Sequence, residues 1–406
     1  MNYIQRGTRS FKRVNFAIFA GGFSTFAILW GPQALLPDIA SDFGVSPTMS
    51  SLSMSSATIT LSISLLIAGS LSEVFGRKPI MAISLVASSI LSIITAFSPS
   101  FQLLILCRIL QGITLAGLPA VAMAYIGEEI EPRSLGMAMG LHISGNSLGG
   151  MTGRIIGGIL TDYFSWHAAY IAIGFLSLLA SIVFIVFLPK SSHFRPQAFA
   201  LKGLATSLFS QFKESGLICL FSLAFLLMGS LVSLYNYIGF ELMKPPYSLS
   251  QTLVGFIFIV YIMGTFSSTW MGMLADQYGK KKILQLSLLI LLIGVTITLS
   301  PNLWLMILGI AVFTYGFFGA HSIASGWVGN MATHDKAQAS SLYLFFYYTG
   351  SSVGGTVSGT FYSHFGWPGV VSMIIVLAAL SIAISIRLGM IASRKMSMKK
   401  EWRAST

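Results

Sequence analysis

Apolar stretches of about 20 residues, each long enough to cross a bilayer as a helix, follow one another along all 406 residues with only short breaks. They place twelve spans near 14–36, 50–72, 79–98, 101–126, 134–160, 167–189, 216–240, 250–274, 283–300, 302–328, 337–362 and 367–391. Hydrophobic residues make up 54% of the chain and charged ones 9%, and the mean hydropathy is +0.80. A surface this apolar needs lipid around it, and no stretch is long enough for a separate soluble domain. The expected class is an all-α membrane protein.

The net charge of +12 invites a nucleic-acid reading, but its distribution points elsewhere. Of the 24 Lys and Arg, 21 fall at the termini, in even-numbered loops or at adjoining helix ends. Only Lys244 falls in an odd-numbered loop, and only Arg108 and Arg154 lie inside spans. That is the positive-inside pattern, which puts both termini in the cytoplasm. The basic tails (Arg6, Arg9, Lys12 and Arg13; Arg394, Lys395, Lys399, Lys400 and Arg403) are expected to meet anionic headgroups. The first span is too long for a cleavable signal and no small-residue cleavage site stands out. Cys107 and Cys219 fall in spans and read as small packing residues, not as a disulfide or a metal site. No phosphate-binding loop of the Gly-x-x-x-x-Gly-Lys-Ser/Thr kind is present, so energy is expected from a gradient, with no cofactor and no metal.

The spans are also arranged in duplicate. Residues 69–78 read GSLSEVFGRK and residues 272–281 read GMLADQYGKK, each closing one span and opening the next. Gly145–Gly150 is echoed by Gly350–Gly355, Ser98-Pro99 by Ser300-Pro301, and Trp166 by Trp367. All four pairs are 201 to 205 residues apart, six spans, so the halves share one orientation about an axis along the membrane normal. The expected organisation is two pseudo-symmetric six-helix bundles, 1–189 and 216–406, joined by a cytoplasmic linker, 190–215. The linker pattern from Phe199 to Phe212 suits a short amphipathic helix on the membrane surface.

With these motifs in place, the chain resembles the major facilitator superfamily over essentially its whole length. The superfamily's loop between helices 2 and 3 reads Gly-x-Leu-Ala-Asp-x-x-Gly-Arg-Lys. Gly69, Leu71, Glu73, Gly76, Arg77 and Lys78 match it, with Glu73 in place of Asp, and the second copy carries Gly272, Leu274, Ala275, Asp276, Gly279, Lys280 and Lys281. Arg108-Ile-Leu-Gln111-Gly112 follows the Arg-x-x-Gln-Gly pattern of proton-coupled members. Gly140, Gly149, Gly153, Gly157 and Gly158 keep the spacing of the antiporter motif Gly-x8-Gly-x3-Gly-Pro-x2-Gly-Gly, with Arg154 where that motif has proline. The nearest resemblance is to bacterial inner-membrane exporters of the twelve-helix drug/proton antiporter type, sugar-efflux members included. It implies the major facilitator fold, alternating access to a cavity near the midplane, and a part for Arg108 in proton coupling.

Several residues are candidates for that work. The two loops are expected to act as a cytoplasmic latch, their glycines permitting tight turns and their acids accepting from helix N-termini beside the cations. A plain topology-setting turn is the alternative. Arg108 and Arg154 are placed at similar depth in the outer half, roughly 10 Å from the outer ends of their spans at 1.5 Å per residue. A charge there costs several kcal/mol unless paired or hydrated. One or both could hold an anionic or hydroxyl-rich substrate; for Arg154 the alternatives are snorkelling outward or pairing with Asp162. No acid lies at mid-span, which leaves Asp38, His142 and His321, with Gln111 beside Arg108, as coupling candidates; for each histidine a hydrogen-bonded packing role is the alternative. Gln33, Asn146, Arg154, Tyr235, Asn236 and Tyr347 are candidates for a substrate cavity, and Tyr237 and Tyr348 accompany them; for Tyr235, Asn236 and Tyr237, near the outer end of span 7, an interfacial aromatic belt is the alternative. The ladder Gly145, Gly149, Gly153 and Gly157, with Gly158, is expected to pack against a helix of the other half, and span 11 carries a shorter one.

The function this supports is a secondary active transporter of the bacterial cytoplasmic membrane, monomeric, exporting a small amphipathic or sugar-like compound against protons. Uptake or exchange of an organic anion held by Arg108 and Arg154 is the alternative in the same fold. A transport-inactive sensor or scaffold would call for a soluble extension, and a membrane enzyme for a catalytic motif such as His-Glu-x-x-His; neither is found. The expected partners are the small-molecule substrate, protons and membrane lipids, with no nucleic acid.

Overall fold

In the computed structural model, which describes residues 3–192, 194 and 201–405, the chain is helical almost throughout. The helices are α1 (Arg9–Trp30), α2 (Leu36–Asp42), α3 (Pro47–Phe75), α4 (Arg77–Thr95), α5 (Phe101–Leu115), α6 (Gly117–Glu129), α7 (Leu135–Tyr163), α8 (Trp166–Phe187), α9 (Leu201–Ser210), α10 (Ser215–Leu242), α11 (Gln251–Ile257), α12 (Tyr261–Tyr278), α13 (Lys280–Ile297), α14 (Leu303–Met331) and α15 (Lys336–Ser405). Among the described residues, nine helical stretches are long and apolar enough to cross a membrane. One of them, Lys336–Arg394, is broken at Gly366, where φ is +63°, and so holds two spans. The remaining two spans are α7, diluted by its glycines and carrying Arg154, and α13, which opens on Lys280, Lys281 and Lys282. The twelve expected spans are thereby accounted for.

Helix starts repeat between the halves because their capping residues do. Ser46 and Ser250 each accept a hydrogen bond from the backbone N–H three residues on, at Met49 and Leu253. Ser100 does the same for Leu103, and Asn302 for Leu305 and Trp304. Such caps satisfy amides that the first helical turn leaves open. The glycine loops repeat as well: Gly76 has φ/ψ of 97°/149° and Gly279 has 96°/135°. That region is strained for any residue with a Cβ, so the same glycine produces the same turn in both copies.

By packing, the chain divides into two compact units, Met1–Phe199 with Tyr235–Ile259, and Ala200–Leu234 with Val260–Thr406. In the first unit the glycine ladder corrects an expectation. Gly145, Gly149, Gly153 and Gly157 lie over the backbone of α1 and its continuation at Phe19, Phe23, Ala27 and Gly31, which is a helix of their own half. A stripe at four-residue spacing points one way only, and here that way is α1. Gly158, one position round the helix, lies instead against Gln251 and Gly255 of α11. Within the second unit the shorter ladder repeats the arrangement, Gly350 over Phe225 and Gly354 over Gly229 of α10.

The segment preceding the first helix of each half is tied to a loop further along. Ile4 makes a parallel bridge with Ile130, its amide donating to Glu129 O at 2.8 Å. In the second unit, Ser207 of α9 donates to Asp335 Oδ2, and Ser210 pairs with His334 Nε2 at 2.9 Å. The helix α9, Leu201–Ser210, falls within the stretch expected to form a linker, while Phe199 lies outside the described residues. So do the side chains of Lys395, Lys399, Lys400 and Arg403 in the basic tail.

Candidate functional site

The first membrane helix breaks near its end, and the break organises the buried charges. α1 stops at Trp30 and passes through a 3-10 turn, Gly31–Leu35, into α2. Pro32 has no N–H to give to the carbonyl four residues back, so Ile28 O is left without its helical donor. Arg108 on α5 takes that place. Its Nη1 donates to Ile28 O at 3.3 Å, Nη2 to Leu29 O at 3.1 Å, and Nε to Ser53 O of α3 at 2.8 Å. Nη1 also donates to Gln111 Oε1 at 2.7 Å, and Nη2 lies 3.8 Å from Met54 Sδ. The guanidinium is wholly buried, compensated by carbonyl dipoles at a helix end in place of a carboxylate. Gly112 lets α5 approach α3 closely enough for this, since a Cβ there would press on Ala57 of α3.

Arg154 reaches the same break from α7. Its Nε and Nη2 both donate to Gln33 Oε1, at 2.9 and 2.6 Å, and Nη1 donates to Gly150 O at 3.0 Å. The guanidinium lies over Trp30 at 5.2 Å and over Phe258 at 4.8 Å from the ring centroids, so cation–π attraction adds to the hydrogen bonds. Gln33 passes the polarity on: its Nε2 donates to Asn236 Oδ1 at 2.7 Å. Gln251 Nε2 donates to Ala34 O in the same 3-10 turn. Tyr235 stacks on Phe258 with centroids 5.2 Å apart. Arg154, Gln33 and Asn236 are all at most 3% exposed, so the arginine is inside the protein and not snorkelling along the helix. Asp162 accepts from the Thr252 amide at 3.3 Å.

The two arginines thus meet the same stretch of chain, Arg108 at Ile28 and Leu29 just before the break and Arg154 at Trp30 and Gln33 within it. Elsewhere in the first unit are polar atoms that find no partner among the described residues: Asp38 Oδ2, His142 Nδ1, Asn146 Oδ1 and Asn236 Nδ2. His142 and Asn146 stand one turn apart on α7 and both face Gly22 of α1. His321 is elsewhere, in the second unit: its Nδ1 is 3.0 Å from Tyr343 Oη and its ring lies 4.6 Å from that of Tyr347. Tyr348 meets Tyr347 edge-on at 5.3 Å. Cys107 and Cys219 are buried free thiols.

In the first glycine loop Arg77 is the centre. It donates to Glu128 through Nη2 at 2.7 Å and Nε at 3.3 Å, and to Ser72 Oγ through Nη1 at 2.6 Å; Glu73 is farther, at 3.8 Å. Lys78 Nζ donates to the last carbonyls of α8, Ile185 at 2.8 Å and Leu188. Beside this loop, the Arg6 amide and then the Ser134 hydroxyl hold the Glu131 carboxyl below its usual range. The second loop, Gly272 to Lys281, has the same turn but no ion pair among the described residues, and the stem of Lys281 lies against Gly389.

Sequence reading did not find Glu128, Trp30, Phe258 or Tyr343. Glu128 carried a usable signal, an acid at the end of span 4 opposite a loop rich in cations. The aromatic residues carried none, because they look like any others in an apolar span.

The profile of the Major Facilitator Superfamily matches residues 18–244 and 232–404. The MFS-type transporter YybF of Bacillus subtilis (strain 168) is 52% identical over 385 residues, covering 95% of each chain. The inner membrane transport protein YnfM of Escherichia coli (strain K12) is 43% identical over 386 residues, covering 95% of this chain and 93% of its own. Among solved structures, a bacterial homolog of the human lysosomal transporter Spinster, inward-facing and unoccupied, matches with a TM-score of 0.73 at 16% identity, covering 95% of this chain and 96% of that one. The nucleoside transporter NupG matches with a TM-score of 0.73 at 18% identity, covering 93% and 99%.

Proposed function

Because this chain belongs to the Major Facilitator Superfamily and is a multi-pass secondary transporter, we propose that it exports a small, non-anionic amphipathic or sugar-like compound in exchange for protons. One observation carries the reading. The buried cations are engaged by protein acceptors, while two protonatable groups, half-buried Asp38 and buried His142, keep atoms with no partner among the described residues. A site for an anion needs guanidinium donors to spare; a proton path needs buried groups able to change their bonding. Occupied arginines therefore favour export of a neutral or weakly basic cargo over exchange of an organic anion. Asp38 and His142 are assigned to proton transfer, and Arg108 with Gln111 to holding the first-helix break on which both depend.

In this reading the halves 1–189 and 216–406 are the two bundles of an alternating-access cycle and 190–215 is the linker. Both termini are cytoplasmic, the working unit is a monomer, and the basic tails rest on anionic lipid. The test is transport in proteoliposomes under an imposed pH gradient, with neutral sugars, weakly basic amphiphiles and organic acids offered in turn. Proton-driven movement of a neutral or basic compound, made insensitive to the gradient by Asp38→Asn or His142→Gln, is the expected result. Gradient-independent counterflow of an organic acid would overturn the proposal.

A further inference from the structure

In the second unit, α14 and the start of α15 line an open cavity of about 180 Å3, bordered by His321, Ser325, Val328, Ser340, Tyr343 and Leu344. We propose that this cavity is a binding site for a small neutral hydroxyl-bearing compound, a polyol or monosaccharide. The inference rests on the transporter reading above and adds to it a place and a ligand chemistry.

The hydrogen-bonding capacity of the lining selects the class. Ser325 Oγ donates to Ser322 O and Ser340 Oγ to Lys336 O, both at 3.1 Å. Each hydroxyl has thereby spent its proton and keeps its lone pairs as acceptors. His321 Nδ1 is engaged with Tyr343 Oη at 3.0 Å, which leaves Nε2 as the second polar atom of the ring. When Tyr343 donates, Nε2 carries the proton and is a donor; when His321 donates, Nε2 is an acceptor. A ligand hydroxyl can answer either state because it both donates and accepts. An ammonium answers only one, and no carboxylate lines the cavity to balance it. A carboxylate or phosphate would meet the two serine acceptors with no cation.

Shape agrees with chemistry. The His321 ring is held parallel to Phe317, at 5° and 5.9 Å between centroids, and against Tyr347 at 4.6 Å, so its nitrogens are fixed in direction. Val328 and Leu344 supply an apolar wall to complement the carbon face of such a ligand. The volume is below the several hundred Å3 of drug-sized pockets and matches a compact polyol.

The experiment is calorimetric titration of the full chain in lipid nanodiscs, with no ion gradient, using glycerol, xylitol, D-xylose and D-glucose as probes and choline and benzoate as comparators. At least one of the four neutral probes is expected to bind saturably and neither comparator to do so. Ser325→Met, which fills the cavity, and His321→Phe, which keeps the ring and removes both nitrogens, are each expected to weaken binding at least tenfold. Size-exclusion profiles and melting curves confirm folding, and His321→Gln replaces either variant that does not fold. The site is overturned if none of the four probes binds, if binding survives these substitutions unchanged, or if choline or benzoate binds through the same residues. Intact, variant-sensitive binding without proton-driven export would strike the transport reading and leave the site. Proton-driven export of a probe that binds identically in the variants would strike the site and leave the transport reading.

Discussion

At the scale of single residues, Arg108 behaves as a substitute for missing backbone amides. Pro32 removes one helical donor, and four protein oxygens on three elements converge on the guanidinium instead. Lysine offers three donors from one nitrogen and cannot reach acceptors spread around a planar fork. Arg108→Lys is expected to leave at least one buried acceptor unpaired, at about 1–3 kcal/mol, and to melt measurably below the parent protein in detergent. Arg108→Met strips every acceptor and is expected to accumulate little folded protein on size-exclusion chromatography. A Lys variant that melts with the parent would contradict this account. Sequence reading singled out Arg108 and Arg154 correctly as unusual, because a charge inside an apolar span is visible in one dimension. Their partners were not legible. Ile28 and Leu29 are ordinary apolar residues whose carbonyls matter only after Pro32, four residues beyond Ile28, has been placed in a folded helix.

At the scale of helices, spacing announces a close contact without naming the neighbour. The small-residue ladder of α7 is plain in the sequence, and so is the need for something to approach it. Which helix does so depends on the rotation of α7 about its axis, and the structure puts α1 there. The difference between glycines that face a neighbour and those that do not gives a sharp expectation. A Cβ at Gly149 would lie 2.6 Å from Phe23 Cα, whereas one at Gly140 would meet nothing within 4 Å. Gly149→Ala must push two backbones apart and is expected to cost several kcal/mol, at the high end for overpacking. Gly140→Ala is expected to be neutral or to stabilise by up to about 1 kcal/mol, through helix propensity alone. Parallel melting curves of the two variants check this, and equal melting temperatures would refute the assignment of the ladder to α1.

At the scale of the whole molecule, duplication is kept in the backbone and dropped in the charges. The two glycine turns have nearly the same dihedral angles and close spans that open on capping serines, Ser46 and Ser250, which is why the architecture was readable from a ten-residue phrase. Among the described residues only the first turn binds its cation to an acid on another helix, for the residue 203 positions after Glu128 is Met331. A half-buried two-point contact to Glu128 outweighs the longer pairing with Glu73, whose side chain is 42% exposed and whose share is below about 1 kcal/mol. The first loop is thus expected to hold structure and the second to be freer to change during transport. Glu128→Gln should lower both the melting temperature and the transport rate. Glu73→Gln and Asp276→Asn should melt as the parent does and slow transport several-fold, the outcome required if these loops latch the cytoplasmic side. Transport at the parental rate in both of the latter variants, at equal protein levels, would reduce the loops to topology signals. A large drop in melting temperature for Asp276→Asn would show instead that the second loop has a structural partner of its own.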